Sequence, residues 1–366
     1  MSDYVSGLRQ DLVEAAARQQ AAGRGARAAR PRRPRAWSPV VVLGAAAALV
    51  AALVLVVGLR AVTPPRPPEA PKVVGGFHIE AQPRDAAAAG GYVFVADYGG
   101  QLLQIDPQTG ERHQLETTAD NALPAAVADD GGALWAVAVD AQPAFPRSIL
   151  LKLDPKTGRR LDSISLAGEG GALAIGAGGI WLQTNRTSRE PSAPPRGLDR
   201  IDPVTHRRTA AIKGVAAQSI AASDHSLWTR EGETVTQRDE TGHVVNRVGH
   251  ISPALGLEDQ RSIVADNDGA WVVGQSEGLL YRIENGQVVK RLRVGGQAGV
   301  IARTRSAVWV TAETNGRYEL VRVDADADKV TGRVRLGGDM PQTIVPVGKK
   351  VWVITEMGDV IRVSQA

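Results

Sequence analysis

One aromatic residue recurs along most of this chain at a nearly constant interval, and that interval restricts the fold more than any other feature. Phe94, Trp135, Trp181, Trp228, Trp271, Trp309 and Trp352 are separated by 41, 46, 47, 43, 38 and 43 residues. A period of about 40–50 residues, made of short apolar runs between turn residues, is that of a four-stranded propeller blade; a helical solenoid would show 3.6-residue periodicity. Each unit reads alike. A small-residue strand such as Ser219-Ile220-Ala221-Ala222 comes first, then a Gly/Asp/Ser turn, then the aromatic strand, as in Val308-Trp309-Val310 and Val351-Trp352-Val353. Leu102–Ile105, Leu198–Ile201, Leu279–Ile283 and Leu320–Val323 read as third strands. The turn that follows is Asp106-Pro107-Gln108-Thr109-Gly110 or Asp154-Pro155-Lys156-Thr157-Gly158, decaying to Asp202-Pro203-Val204-Thr205 and Asn285-Gly286. Proline presets the first turn dihedral, Asp caps the turn backbone and Gly supplies a left-handed position, so these are hairpin signals with a mechanism.

The ends of the chain give an independent count of seven blades. After Trp352 there is room for one more strand, Val360–Val363, before Ala366, so the seventh blade lacks an outer strand. Val73–Glu80 is a strand-like run with no partner of its own, placed just before Asp85–Ala89, the inner strand of blade one. Borrowing it closes the ring and removes two exposed sheet edges. The expected fold class is an all-β, seven-bladed β-propeller over residues 73–366.

This pattern of Trp strand, Asp-Pro-x-Thr-Gly turn and small inner strand resembles the seven-bladed propellers of the streptogramin (virginiamycin B) lyase-like and YVTN-type superfamily, over residues 73–366. The resemblance implies the fold. It also raises a lyase- or lactonase-like activity on a cyclic ester, which in streptogramin lyases implies a His acid/base with a metal and acidic partners. The six histidines do not reproduce that arrangement. His206 and His243 fall in or beside third-to-fourth-strand turns and His225 in an inner hairpin turn, His78 in the closing strand and His113 in an outer strand; His250 alone reaches the other face. Acid–base catalysis needs groups that converge on one substrate, so no catalytic residue is carried over.

Residues 1–72 hold 11 Lys/Arg against 4 Asp/Glu, whereas residues 73–366 hold 32 against 35. The basic character belongs to the tail, and the propeller has no global attraction to nucleic acid. Val5, Leu8, Leu12 and Ala16 have helical spacing, reading as a short amphipathic helix that either lies on a membrane or docks a cytoplasmic partner through residues 1–20. Six arginines follow between Arg24 and Arg35. Val40–Leu59 is then twenty residues without a charge or a hydrogen-bonding side chain, enough to cross about 30 Å of hydrocarbon as a helix. Basic residues before such a span hold that end in the cytoplasm. The expected layout is a cytoplasmic segment over 1–39, a transmembrane helix over 40–59, a Pro-rich spacer over 60–72 and the propeller outside the membrane. The span exceeds a signal-peptide core, although Gly58 and Ala61 leave cleavage open as the alternative.

The loops that join second to third strands and blade to blade share one face. Insertions at Asp140–Arg147 and Asn185–Gly197, with extended links at Glu116–Leu123 and His250–Gln260, enlarge it, either as tolerated surface or as walls of a binding site. Alignment on the aromatic places Arg84, Ala125, Gly171, Gln218, Arg261, Gly299 and Gln342 at one equivalent position on that rim. Arg84, Gln218, Arg261 and Gln342 are therefore the candidate ligand-binding residues, offering charge-assisted and amide hydrogen bonds to a polar or anionic group. Asp324-Ala325-Asp326-Ala327-Asp328 begins like a calcium loop, but Lys329 and Arg335 stand where Gly and Glu are required, so it reads as a charged turn. Asp266-Asn267-Asp268-Gly269 reads as a hairpin turn. There is no cysteine, which excludes disulfides and thiolate sites. No metal site and no cofactor is indicated, quinones included. The function expected is a membrane-anchored binding or scaffold module for an envelope ligand or a protein partner, with the cyclic-ester enzyme as the alternative.

Overall fold

The computed structural model describes residues 69–115, 122–140, 147–185, 196–252 and 261–365. The amphipathic segment, the Val40–Leu59 span and most of the Pro-rich spacer lie outside the described residues, as do most residues of the four enlarged loops and links. Among the described residues no helix is long and apolar enough to cross a membrane.

Seven four-stranded antiparallel sheets follow one another around the ring, six of them ordered from inner to outer strand in chain order and the seventh completed by the first strand of the domain. Blade two is representative, with Ala122–Asp129, Leu134–Asp140, Arg147–Leu153 and Arg160–Ala167 paired in sequence. Period-2 alternation produces these strands, but both faces are apolar because every blade is sandwiched between two others. Each of seven buried clusters contains one of the seven recurring aromatics together with apolar residues of the following blade. Trp135 meets Ile180, Leu182 and Ile201, for example, and Trp352 meets Val93, Val95 and Leu103 across the seam. The six Trp are at most 1% exposed. Burying a side chain of this size contributes about 1.5–3 kcal/mol or more, so the repeated aromatic is the principal inter-blade contact.

The seam confirms the closure expected from the ends. Blade seven consists of Pro341–Val347, Lys350–Thr355 and Asp359–Ser364, and its outer strand is Val73–His78 from the start of the domain. The register runs from Val73 opposite Val363 to His78 opposite Asp359. The strand ends at His78, two residues earlier than expected. Ile79 there leaves the ladder, donating its N–H to the Gly358 carbonyl at 2.8 Å and burying its side chain completely. Phe77 packs edge-on against Trp352 with centroids 5.3 Å apart.

The third-to-fourth-strand turns show why Asp and Gly recur there. Asp106 Oδ1 accepts the N–H groups of Gln108 and Thr109 at 2.7 and 3.1 Å, and Asp154 and Asp202 repeat this with Lys156, Thr157, Val204 and Thr205. These bonds, led by those from Thr109, Thr157 and Thr205, hold the three carboxyls below the ordinary carboxylate range. Asp324 caps its turn likewise, through Asp326 and Ala327. Gly110 and Gly158 close the turns at φ of 77° and 69°; His206 and Asp328 take the same left-handed position in the decayed copies.

Candidate binding surface and axial channel

The inner strands surround a channel of about 480 Å³. Its lining side chains are mostly small and apolar, including Ala87, Ala128, Leu173, Ala222, Val264 and Pro346, while polar groups make up about half of the exposed wall. Inner strands run from the face that carries the blade-to-blade links toward the face of the hairpin turns, which defines an upper and a lower mouth.

Of the four candidate rim residues, the structure brings only Arg261 to the channel. For Arg84 and Gln342 the reason is a recurrent bulge. In blades one, two, three, six and seven the pairing of inner and second strands shifts register at the aligned position, between Pro83 and Asp85, Pro124 and Ala126, Gly170 and Leu173, Ala298 and Ile301, and Pro341 and Thr343. An extra residue in a bulge loses its ladder partner and its side chain is re-aimed, so an aligned position does not place its side chains on a common target. Arg84 lies over the Tyr98 ring at 5.5 Å. Gln218 accepts the Gly232 N–H through Oε1 at 2.7 Å, capping its own blade's second-to-third-strand turn. Gln342 stays half-buried where its inner strand begins.

Arg261 spans the upper mouth. Although it belongs to blade five, its guanidinium pairs with Asp85 and donates to the Ala86 carbonyl, both in blade one. Asp85 is buried and also accepts the Val127 N–H of blade two at 2.8 Å through Oδ2 and the Ala86 N–H at 2.9 Å through Oδ1. Asp85 is the residue that sequence reasoning overlooked. The signal was present: its counterparts nine residues before the other aromatics are Ala126, Ala172, Ser219, Ser262, Val300 and Thr343, so one acid stands in a row of small, hydroxyl and aliphatic residues.

At the lower mouth Arg303 lies 3.2 Å from Asp266, which also receives a bidentate pair of bonds from the buried Arg282 at 3.0 and 3.1 Å. Glu284 binds Arg282 Nε at 2.9 Å. The Asp266–Gly269 stretch is thus a hairpin turn, and it also anchors an ion network between blades five and six. Asp129 also lines the channel at this mouth. Burial, followed by the neighbouring Asp130 charge, raises its carboxyl above the ordinary range, against the opposing bond from the Gly131 N–H.

The upper face carries a second feature. Tyr98, Leu123, Met340 and Met357 are exposed large apolar residues, and all four lie on the upper ends of consecutive blades seven, one and two. Backbone bonds brace the loops around three of them, Glu356 N–H donating to the Met340 carbonyl, Ile79 N–H to that of Gly358 and Tyr98 N–H to that of Gln82, at 2.8–2.9 Å. The other exposed large apolar residues among the described residues sit on outer strands or, for Val204, in a turn on the opposite face. Among the described residues no group of three or more His, Asp or Glu is disposed to hold a metal ion.

No known sequence family matches the chain, and no curated protein matches it. Among solved structures, a chain in the crystal structure of a mitotic checkpoint complex superposes with a TM-score of 0.59, covering 93% of this chain and 98% of that one at 10% identity. That likeness shows the β-propeller fold.

Proposed function

We propose that this protein is a membrane-anchored binding module whose upper face docks a protein partner. The observation that carries the reading is the band Met340–Met357–Tyr98–Leu123 with Arg84 stacked beside it. Met, Tyr and Arg are enriched at protein interfaces relative to the rest of the surface, and Tyr and Arg recur among the residues that dominate binding energy. The fold is one commonly used for protein assembly, and the chain it superposes on comes from a complex. The Trp and Asp-Pro-x-Thr-Gly motifs support placing the chain among the streptogramin lyase-like and YVTN-type propellers as a member used for binding. The fold alone does not decide that use.

The anchor is the Val40–Leu59 span, with the amino terminus inside and the propeller outside. Its direction of entry supports the choice of face. The chain reaches the domain at Val73, at the lower end of the closing strand, where Lys72 N–H donates to Ser364 Oγ at 3.1 Å. The upper band therefore lies on the face opposite the point where the chain enters the domain. A photocrosslinking residue at position 357 should capture one defined partner protein in intact cells, and the same residue at position 204 should not. Adding Tyr98→Asp to the 357 variant should abolish capture while leaving the thermal midpoint unchanged. Capture from position 204 alone would overturn the assignment of the face.

A further inference from the structure

The four ionisable side chains lining the axial channel are Asp85, Arg261, Asp129 and Arg303. Asp85 and Arg261 neutralise each other at the upper mouth. At the lower mouth Asp266 and Glu284 together offset Arg303 and Arg282. Asp129 is left over. Its Oδ1 takes the Gly131 N–H at 3.1 Å, and among the described residues no cation pairs with it. Its neighbour Asp130 is engaged separately, accepting the Trp135 Nε1–H at 2.7 Å and the Ala133 N–H at 2.6 Å. Asp129 also lines an adjoining cleft of about 430 Å³ between blades seven and one, so the lower mouth opens broadly while Arg261 crosses the upper one.

We propose that the channel is a binding site for an organic monocation, an amine whose ammonium group pairs with Asp129 and whose apolar body lies between the inner strands. The volume falls in the range of about 300–1,000 Å³ typical of small-molecule sites, and such sites combine an apolar lining with a few placed polar groups. Asp129 is exposed at the turn end of its strand, and an ammonium there would form a charge-assisted hydrogen bond, stronger than its neutral counterpart. The raised carboxyl of Asp129 fits this arrangement, since a group that burial disfavours as an anion gains most from an incoming cation. Lys349 and Lys350 line the adjoining cleft, but within the channel itself an anionic ligand would meet Asp129 and find both arginines already paired.

The test is calorimetric titration of the full-length chain with hexylammonium chloride, and with sodium hexanoate and hexanol as size-matched probes. Hexylammonium should bind at least tenfold more tightly than either. Asp129→Asn, which keeps an acceptor for the Gly131 N–H and so preserves the turn, should weaken hexylammonium at least tenfold without moving the thermal midpoint. Ala128→Leu, which narrows the channel next to Asp129, should abolish binding, whereas Lys349→Ala in the adjoining cleft should not. No hexylammonium binding to the unaltered chain, equal or tighter binding of hexanoate, or unchanged affinity in Asp129→Asn would each overturn the proposal. If Ala128→Leu does not fold, the Asp129→Asn comparison decides alone.

Discussion

Asp85 and Arg261 join blades that are not neighbours, the one ion pair among the described residues that does so. Removing one member of a buried ion pair typically costs about 3–5 kcal/mol, because the survivor is left uncompensated. Arg261 keeps a quarter of its side chain in solvent, against 7% for Asp85, so Arg261→Ala should cost less, about 2 kcal/mol. Asp85→Ala should cost more, since it also strands the N–H groups of Val127 and Ala86. The double variant should be well short of additive, which a urea-unfolding cycle would measure. Additive losses would mean that the pair contributes nothing as a pair. The alignment on the aromatic found Arg261 and gave it the wrong occupation. Spacing reveals which residues are equivalent; it does not reveal that an acid from across the ring has already filled the guanidinium. Arg84, Gln218 and Gln342 were equally visible as a set, but the bulge beside Arg84 and Gln342 depends on backbone register and the Gly232 cap that occupies Gln218 depends on loop geometry, neither of which residue types alone display.

Strand by strand, the architecture was far more legible than the site. Each blade repeats the same local chemistry, so a turn that is ambiguous once, such as Asp202–Thr205, is identified by its better copies at Asp106 and Asp154. The closing strand was readable because an unpaired run at one end matched a missing strand at the other. Its contribution is concentrated in Phe77 and Ile79, which join the cluster around Trp352. Full burial of Ile79 and partial burial of Phe77 are together worth roughly 2–5 kcal/mol, before counting the ladder bonds from Val73 to His78. Deleting residues 1–81 should therefore lower the thermal midpoint sharply, whereas deleting 1–71 should leave it nearly unchanged. Equal stability of the two truncated chains would show that the seam is held by something other than this strand.

At the scale of the whole molecule, the proposed anchor and the seam lie close together in sequence, thirteen residues apart between Leu59 and Val73. Protease added to spheroplasts should remove material after Arg60 and spare residues 1–35; protection of the propeller would overturn the proposed topology. Antiparallel pairing of Val73–His78 with Asp359–Ser364 also sets how the ring answers a pull on its tether. A force drawing Lys72 away from the lower face acts along the axis of the closing strand, so its ladder bonds are loaded together in shear. The same force applied at the His78 end would peel them one at a time. Attachment at the lower end thus makes the joint mechanically strongest in the direction in which a partner held on the upper face would drag it.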